Sequence, residues 1–164
     1  MEHCPECGFT YDLDESPAAA EAIRAGADDF AVVLRSAADV RRRPGDGVWS
    51  PLEYSSHVRD VLLSQRERVL LAQRVDTPDC VPMGVDDRVE REGYNEQEPE
   101  AVARQITDAA LLLATVLDRL DDAGWQRRLI YNYPASAERS VRWVAMHALH
   151  EVRHHLMDVR RQLA

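Results

Sequence analysis

Six histidines occur in the 164 residues, and five of them lie in two short segments. WSPLEYSSH ends at His57, and HALHEVRHH carries His147, His150, His154 and His155. His150 and His154 are four residues apart, so on a helix successive turns direct both imidazoles to the same side, as a divalent metal requires of two ligands. A third ligand from another helix completes a facial site with open coordination positions. The competing reading is that these are ordinary surface or satisfied core histidines. Helical spacing together with a matched second segment favours the metal.

The N-terminus carries a separate signal. In CPECGFTYD, Cys4 and Cys7 enclose Pro5 and Glu6 and are followed by Gly8. That spacing lets two sulfurs and nearby backbone amides converge on one ion, which is half of a zinc knuckle. Cys80 is the only other cysteine, and His3, His155 or Asp12 would have to make up the number. A structural zinc tether at Cys4 and Cys7 is the first expectation. The alternatives are a redox dithiol or disulfide, which a cytosolic setting disfavours, and a cysteine given to the histidine-bound metal by a segment folded over the protein.

Four amphipathic segments have to position these groups. From about Ser16 to Arg42, Ile23, Ala27, Phe30, Leu34 and Ala37 recur at steps of four and three, the seam of a helix packed on helices. Pro44, Gly45, Asp46 and Gly47 end it. Ser50-Pro51-Leu52-Glu53 is a helix start, with Ser50 as cap, Pro51 in the first turn and Glu53 closing a capping box. His57 then sits about two turns into a second helix that runs to about Arg74. A third extends from about Glu98 to Asp121 through Val102, Ile106, Ala109, Leu113, Val116 and Leu120. The fourth starts near Ser140 and runs almost to the C-terminus. Val75 to Gln97 is too long for a tight turn and fits a crossover or a lid over one end. No strand pattern, repeat or low-complexity tract is visible. The fold expected is therefore all-α, a four-helix bundle over residues 16–164 with a cysteine-bearing extension at 1–15.

The fourth helix has two stripes of low charge. Ala145, Ala148, Leu149, Val152, Leu156, Val159 and Leu163 gather on one side, and Trp143, His147, His150, His154 and Met157 on nearly the other. Such a helix touches two neighbours, or its own core and a second subunit. His147 can reach the same cleft as His150 and His154, as a rival ligand or a proton donor. His155 projects away from His150, towards the rim or surface. Glu151, Asp158 and Asp60 can orient imidazoles through their free nitrogens, or simply pair with arginines on a solvated face. Tyr94, Tyr131 and Tyr133 are candidates for a substrate pocket.

Composition excludes several function classes. A net charge of −9 leaves no concentrated basic surface for nucleic acid, and Arg41 to Arg43 is too short a run to change that. No apolar stretch reaches membrane-spanning length, and the acidic N-terminus lacks the basic start and apolar core of a signal peptide. A cytoplasmic protein is expected. The basic set contains arginine but no lysine, which suggests a GC-rich bacterial genome.

WSPLEYSSHVRDV and, after a long middle, HALHEVRHHLMDV resemble the DinB-like metalloenzyme superfamily, in an actinobacterial type with a CPECG extension. That group includes bacillithiol and mycothiol S-transferases and the N-terminal domain of mycothiol-dependent maleylpyruvate isomerase. The resemblance spans roughly Ala18 to Ala164. It implies a four-helix bundle, often a homodimer, with a metal at one end of an internal cleft, held by His57, His150 and His154. Zinc is the first expectation, with nickel, iron, manganese and cobalt as alternatives. His147 and Glu151 become the candidate catalytic groups, and Tyr94 and Tyr131 the candidates for binding a cosubstrate. Neutral imidazoles leave the ion its full positive charge and open positions for water or thiolate. Thiol transfer and metal-assisted hydrolysis are the reaction classes implied, with a low-molecular-weight thiol and an electrophile as partners. A non-enzymatic metal-binding or stress-associated interaction protein is the alternative.

Overall fold

A computed structural model of the chain describes residues 2–164. In chain order the elements are α1 (Ala19–Ser36), α2 (Pro51–Arg74), β1 (Asp79–Cys80), α3 (Val85–Arg91), α4 (Pro99–Leu117), α5 (Asp122–Gln126), β2 (Arg128–Asn132), β3 (Ser136–Ser140) and α6 (Val141–Leu163). The long helices α1, α2, α4 and α6 form a four-helix bundle. α1 packs on α4 and α6, and α2 packs on the same two, so α1 and α2 occupy opposite corners.

Local sequence accounts for most of these boundaries. Ser50 accepts from the Glu53 amide at 3.2 Å while the Glu53 carboxylate accepts from the Ser50 amide at 2.8 Å, the capping box expected at the start of α2. Ser140 caps α6 by accepting from the Trp143 amide at 3.2 Å. α1 ends at Ser36 and not near Arg42. Ala37 is extended there, and the turn that follows buries Val40 against Leu34, Leu52 and Val102, a burial that a continuing helix would forgo. Close approach of α1 and α6 depends on Gly26, where a Cβ would fall 2.3 Å from Val152 Cγ1.

The all-α expectation needs one amendment. A small sheet of order β1-β2-β3 lies in the connections, with β1 parallel and β3 antiparallel to β2. Its strands have two and five residues, too short for alternation to stand out against the helical rhythm. β2 turns Leu129 and Tyr131 inwards, and that fixes the Tyr131 side chain against the bundle.

The connection from α2 to α4 folds back on α2. Tyr94 is fully buried and donates to Asp60 at 2.5 Å, and Arg88 donates to the same carboxylate at 3.4 Å. The N-terminal segment runs across α6, placing Phe9 and Tyr11 in the main core. Both low-charge stripes of α6 are thus used within the chain: the apolar one faces α1 and α2, and the histidine one lies under residues 4–11. No helix among the described residues is long and apolar enough to cross a membrane.

Candidate metal centres

Two pairs of possible ligands stand four apart on α6, offset by a single residue: His150 with His154, and Glu151 with His155. One residue is about 100° of rotation, so the pairs look at different neighbours. Glu151 and His155 face α2, where His57 sits two turns from the capping box. His150 and His154 face the N-terminal segment, where Cys4 and Cys7 sit on a tight turn. In each group the possible ligand atoms lie within 4.8 Å of one another, as His57–Glu151–His155 and as Cys4–Cys7–His150–His154.

The first group has the donor spacing of a metal site. Glu151 Oε2 is 3.5 Å from His57 Nε2 and 3.5 Å from His155 Nε2. This is long for a hydrogen bond. It is close to the roughly 3.3 Å that separates two donors placed tetrahedrally about an ion at 2.0–2.1 Å. Trp49 packs on the His57 ring at 5.2 Å between centroids, and Tyr54 stacks on His155 at 5.1 Å. Asp158 accepts from His155 Nδ1 at 3.0 Å, which leaves Nε2 for the cluster. His57 Nδ1 is buried without a hydrogen-bond partner among the described residues. Two imidazoles and a carboxylate suit zinc or a divalent iron-like ion, so the residues present fit the metal that the histidine pattern implies.

Electrostatics follow from this crowding. Burial would raise the Glu151 carboxyl, but His150, His155 and His57 surround it and hold it well below the usual carboxylate range. Burial would lower His155, yet Asp158 and Glu151 on its two nitrogens outweigh that and bring it up to about 9. Burial prevails at His57, which is pushed down. Cys4 is drawn down to about 6, chiefly by the Cys7 backbone amide and partly by His150, whereas burial pushes Cys7 up.

The His57 group lies at the wall of a cavity of about 650 Å³ between α2, α6, β2 and the start of α3. Arg68 also lines it. Its guanidinium donates to Tyr131 Oη at 2.8 Å and to the Val81 carbonyl at 2.9 Å, and no carboxylate pairs with it among the described residues. Gln65 donates to the same Tyr131 oxygen at 2.7 Å. His147 lines the cavity too, 3.0 Å from the Tyr11 hydroxyl through Nδ1. Burial and the neighbouring His150 push it down to about 4, although Glu151 opposes them, so it is a neutral ring at pH 7.

The structure redistributes the residues singled out from sequence. His57 shares a cluster with Glu151 and His155, and His150 with His154 shares one with the two cysteines. His155 is largely buried against His57, not on the rim, because α2 crosses that side of α6. Tyr131 lines the cavity, but Tyr94 does not: its hydroxyl is spent on Asp60, whose partners are Arg59, Arg88 and Tyr94 and no imidazole. Cys80 is buried in β1, away from Cys4 and Cys7. Sequence reasoning passed over Arg68 entirely. It also missed Glu151 and His155 as a ligand pair, although their spacing equals that of His150 and His154.

The sequence profile of the DinB superfamily matches residues 13–159. A comparison with curated proteins finds no match. Among solved structures, YfiT from Bacillus subtilis, described as a probable metal-dependent hydrolase with an unusual four-helix bundle topology, superposes with a TM-score of 0.74 at 16% identity. The match covers 98% of this chain and 93% of that one.

Proposed function

The chain belongs to the DinB superfamily, and we propose that it is a metal-dependent hydrolase whose reaction centre is His57, Glu151 and His155. The observation that carries this reading is the convergence of two imidazole nitrogens on one carboxylate oxygen at 3.5 Å each, at the wall of a cavity large enough for a small substrate. The description of YfiT as a probable metal-dependent hydrolase agrees with it.

His57 Nε2, His155 Nε2 and a Glu151 oxygen would hold the ion, zinc by preference for this donor set. Such an ion supplies Lewis acidity that polarises an acyl oxygen and makes water or a thiol nucleophilic at neutral pH. The protein's own groups do the rest. Asp158 fixes the His155 tautomer through Nδ1. Arg68, a cation without a carboxylate partner, binds an anionic end of the substrate, and Tyr131 holds that guanidinium in place. His147 is neutral, with Tyr11 on Nδ1, so it contributes a hydrogen bond and not a charged acid. Trp49 and Tyr133 supply apolar walls.

A low-molecular-weight thiol in place of water turns the same reaction into S-transfer. The two outcomes separate in one assay. Metal-free and zinc-reconstituted protein is offered a panel of small anionic esters, amides and electrophiles, with and without such a thiol. Turnover that requires metal and consumes no thiol supports the hydrolase, and thiol consumption supports the transferase. Metal binding without turnover on either arm would leave a metal-binding protein and overturn the enzymatic reading.

A further inference from the structure

Nothing in the proposed reaction uses the two cysteines, and the fold nevertheless brings both of them onto α6. Cys4 and Cys7 lie on a turn in which the Gly8 amide donates to the Cys4 carbonyl at 3.0 Å and the Cys4 amide donates to Phe9 at 2.9 Å. Gly8 has φ +74°, a conformation that disfavours any side chain. The turn is pressed onto α6 by Phe9 and Tyr11, whose rings lie 5.4 and 5.5 Å from that of His150. Both sulfurs thereby meet His150 and His154, four donors within 4.8 Å of one another.

The spacing and the free ring nitrogens are those of ligands. Cys4 Sγ is 3.7 Å from His154 Nδ1. A thiolate and an imidazole placed tetrahedrally about zinc, at 2.3 and 2.0–2.1 Å, stand about 3.6 Å apart. His150 gives Nδ1 to Glu151 at 3.1 Å, which leaves Nε2, a buried nitrogen with no hydrogen-bond partner among the described residues. His154 has Nδ1 on the side of Cys4 and Nε2 within ion-pair distance, though not hydrogen-bond distance, of Glu6 at 3.5 Å and Asp158 at 3.6 Å. Carboxylates on the far nitrogens are what orient metal-bound imidazoles.

We propose that Cys4, Cys7, His150 and His154 form a second metal centre, a closed site of the zinc class, that fastens the N-terminal segment across the histidine stripe of α6. Two thiolates and two imidazoles fill a tetrahedron and leave no position for substrate. The donor set rejects magnesium and calcium, which take oxygen ligands. The centre is structural, and it withdraws His150 and His154 from the reaction centre. It stands on its own donors, whatever reaction the His57 group performs.

The test uses the full chain, stripped of metal and titrated with cobalt(II), with elemental analysis of the zinc form and circular dichroism as a check on folding. Wild type is expected to show a thiolate-to-cobalt charge-transfer band and two equivalents of metal. Cys4→Ser/Cys7→Ser loses the band and one equivalent while the helical signal stays. His57→Ala/His155→Ala keeps the band and loses the other equivalent, so failure of the reaction centre is seen separately. Sulfur-edge or zinc-edge X-ray absorption should count two sulfurs on the retained ion. Absence of the band in wild type, its persistence in His150→Ala/His154→Ala, or a Cys4–Cys7 disulfide in protein prepared without air would each overturn the proposal.

Discussion

The two donor clusters on α6 are the same device read one residue apart. His150/His154 and Glu151/His155 each span one helical turn, yet one pair meets a hydrogen-bonded turn at the N-terminus and the other meets a helix nearly a hundred residues earlier in the chain. His57, Glu151 and His155 line the cavity and so do His150 and His154, whereas Cys4 and Cys7 lie off it, on the turn that Phe9 and Tyr11 press onto α6. Spacing alone therefore selects pairs of ligands. The wall that each pair faces supplies its further donors, His57 for one and Cys4 with Cys7 for the other.

Glu151 is the hinge of the comparison, because Oε1 accepts from His150 while Oε2 faces His57 and His155. Glu151→Gln should produce the largest effect. An amide can keep its oxygen on His150 but presents NH₂ to the other two imidazoles, so elemental analysis should find the His57 metal lost and the cysteine-bound metal kept. Loss of both would show that the clusters are one site. Asp158→Asn comes next, with metal affinity at the His57 group weakened about 10–100-fold, as for other orienting carboxylates, in a competition titration against a chelator. A smaller shift belongs to the cysteine group, where Asp158 is one of two carboxylates near His154.

Arg68→Met tests the cavity side alone. KM for an anionic substrate should rise about tenfold, the loss of roughly one charge-assisted hydrogen bond, with both metals retained. An equal fall in kcat with unchanged KM would remove Arg68 from substrate binding. Asp60→Asn should have the least effect on either cluster. It should instead cost about 2 kcal/mol of stability in a denaturant titration, because Arg59 stays buried beside it. Burial opposes ionisation of Asp60, but Arg59, Tyr94 and Arg88 keep its carboxyl below the ordinary 3.8. Its contribution is thus present above about pH 4 and is lost as pH falls through the depressed value. The variant should show a shallower acid limb than wild type.

The fold was largely legible because α1, α2, α4 and α6 each bury a stripe with helical period, and because Ser50, Pro51, Glu53 and Ser140 mark helix starts chemically. β1, β2 and β3 were not, since two- and five-residue strands inside connections carry almost no periodic signal. At the sites, helical spacing paired His150 with His154 and set His155 towards the rim, whereas the structure puts His57 beside Glu151 and His155 and puts His150 and His154 beside the two cysteines. The true discriminator is which neighbour lies 100° further round the helix, and that is a tertiary fact. Tyr94 misled for a similar reason: a tyrosine in a loop looks available until a buried carboxylate such as Asp60 claims its hydroxyl. Arg68 gave no warning, because its significance lies in the carboxylate it lacks.

The diagonal placement of α1 and α2 also bears on how the molecule comes to exist. Consecutive helices in most bundles pair as hairpins, a local event that forms early. Here α1 has its main partners in α4 and α6, so its buried face, with Ile23 and Phe30, has no finished surface to meet until most of the chain has been made. Assembly must then proceed through contacts of long sequence separation, which slows folding and lengthens the time that apolar helix faces stay open to aggregation during synthesis.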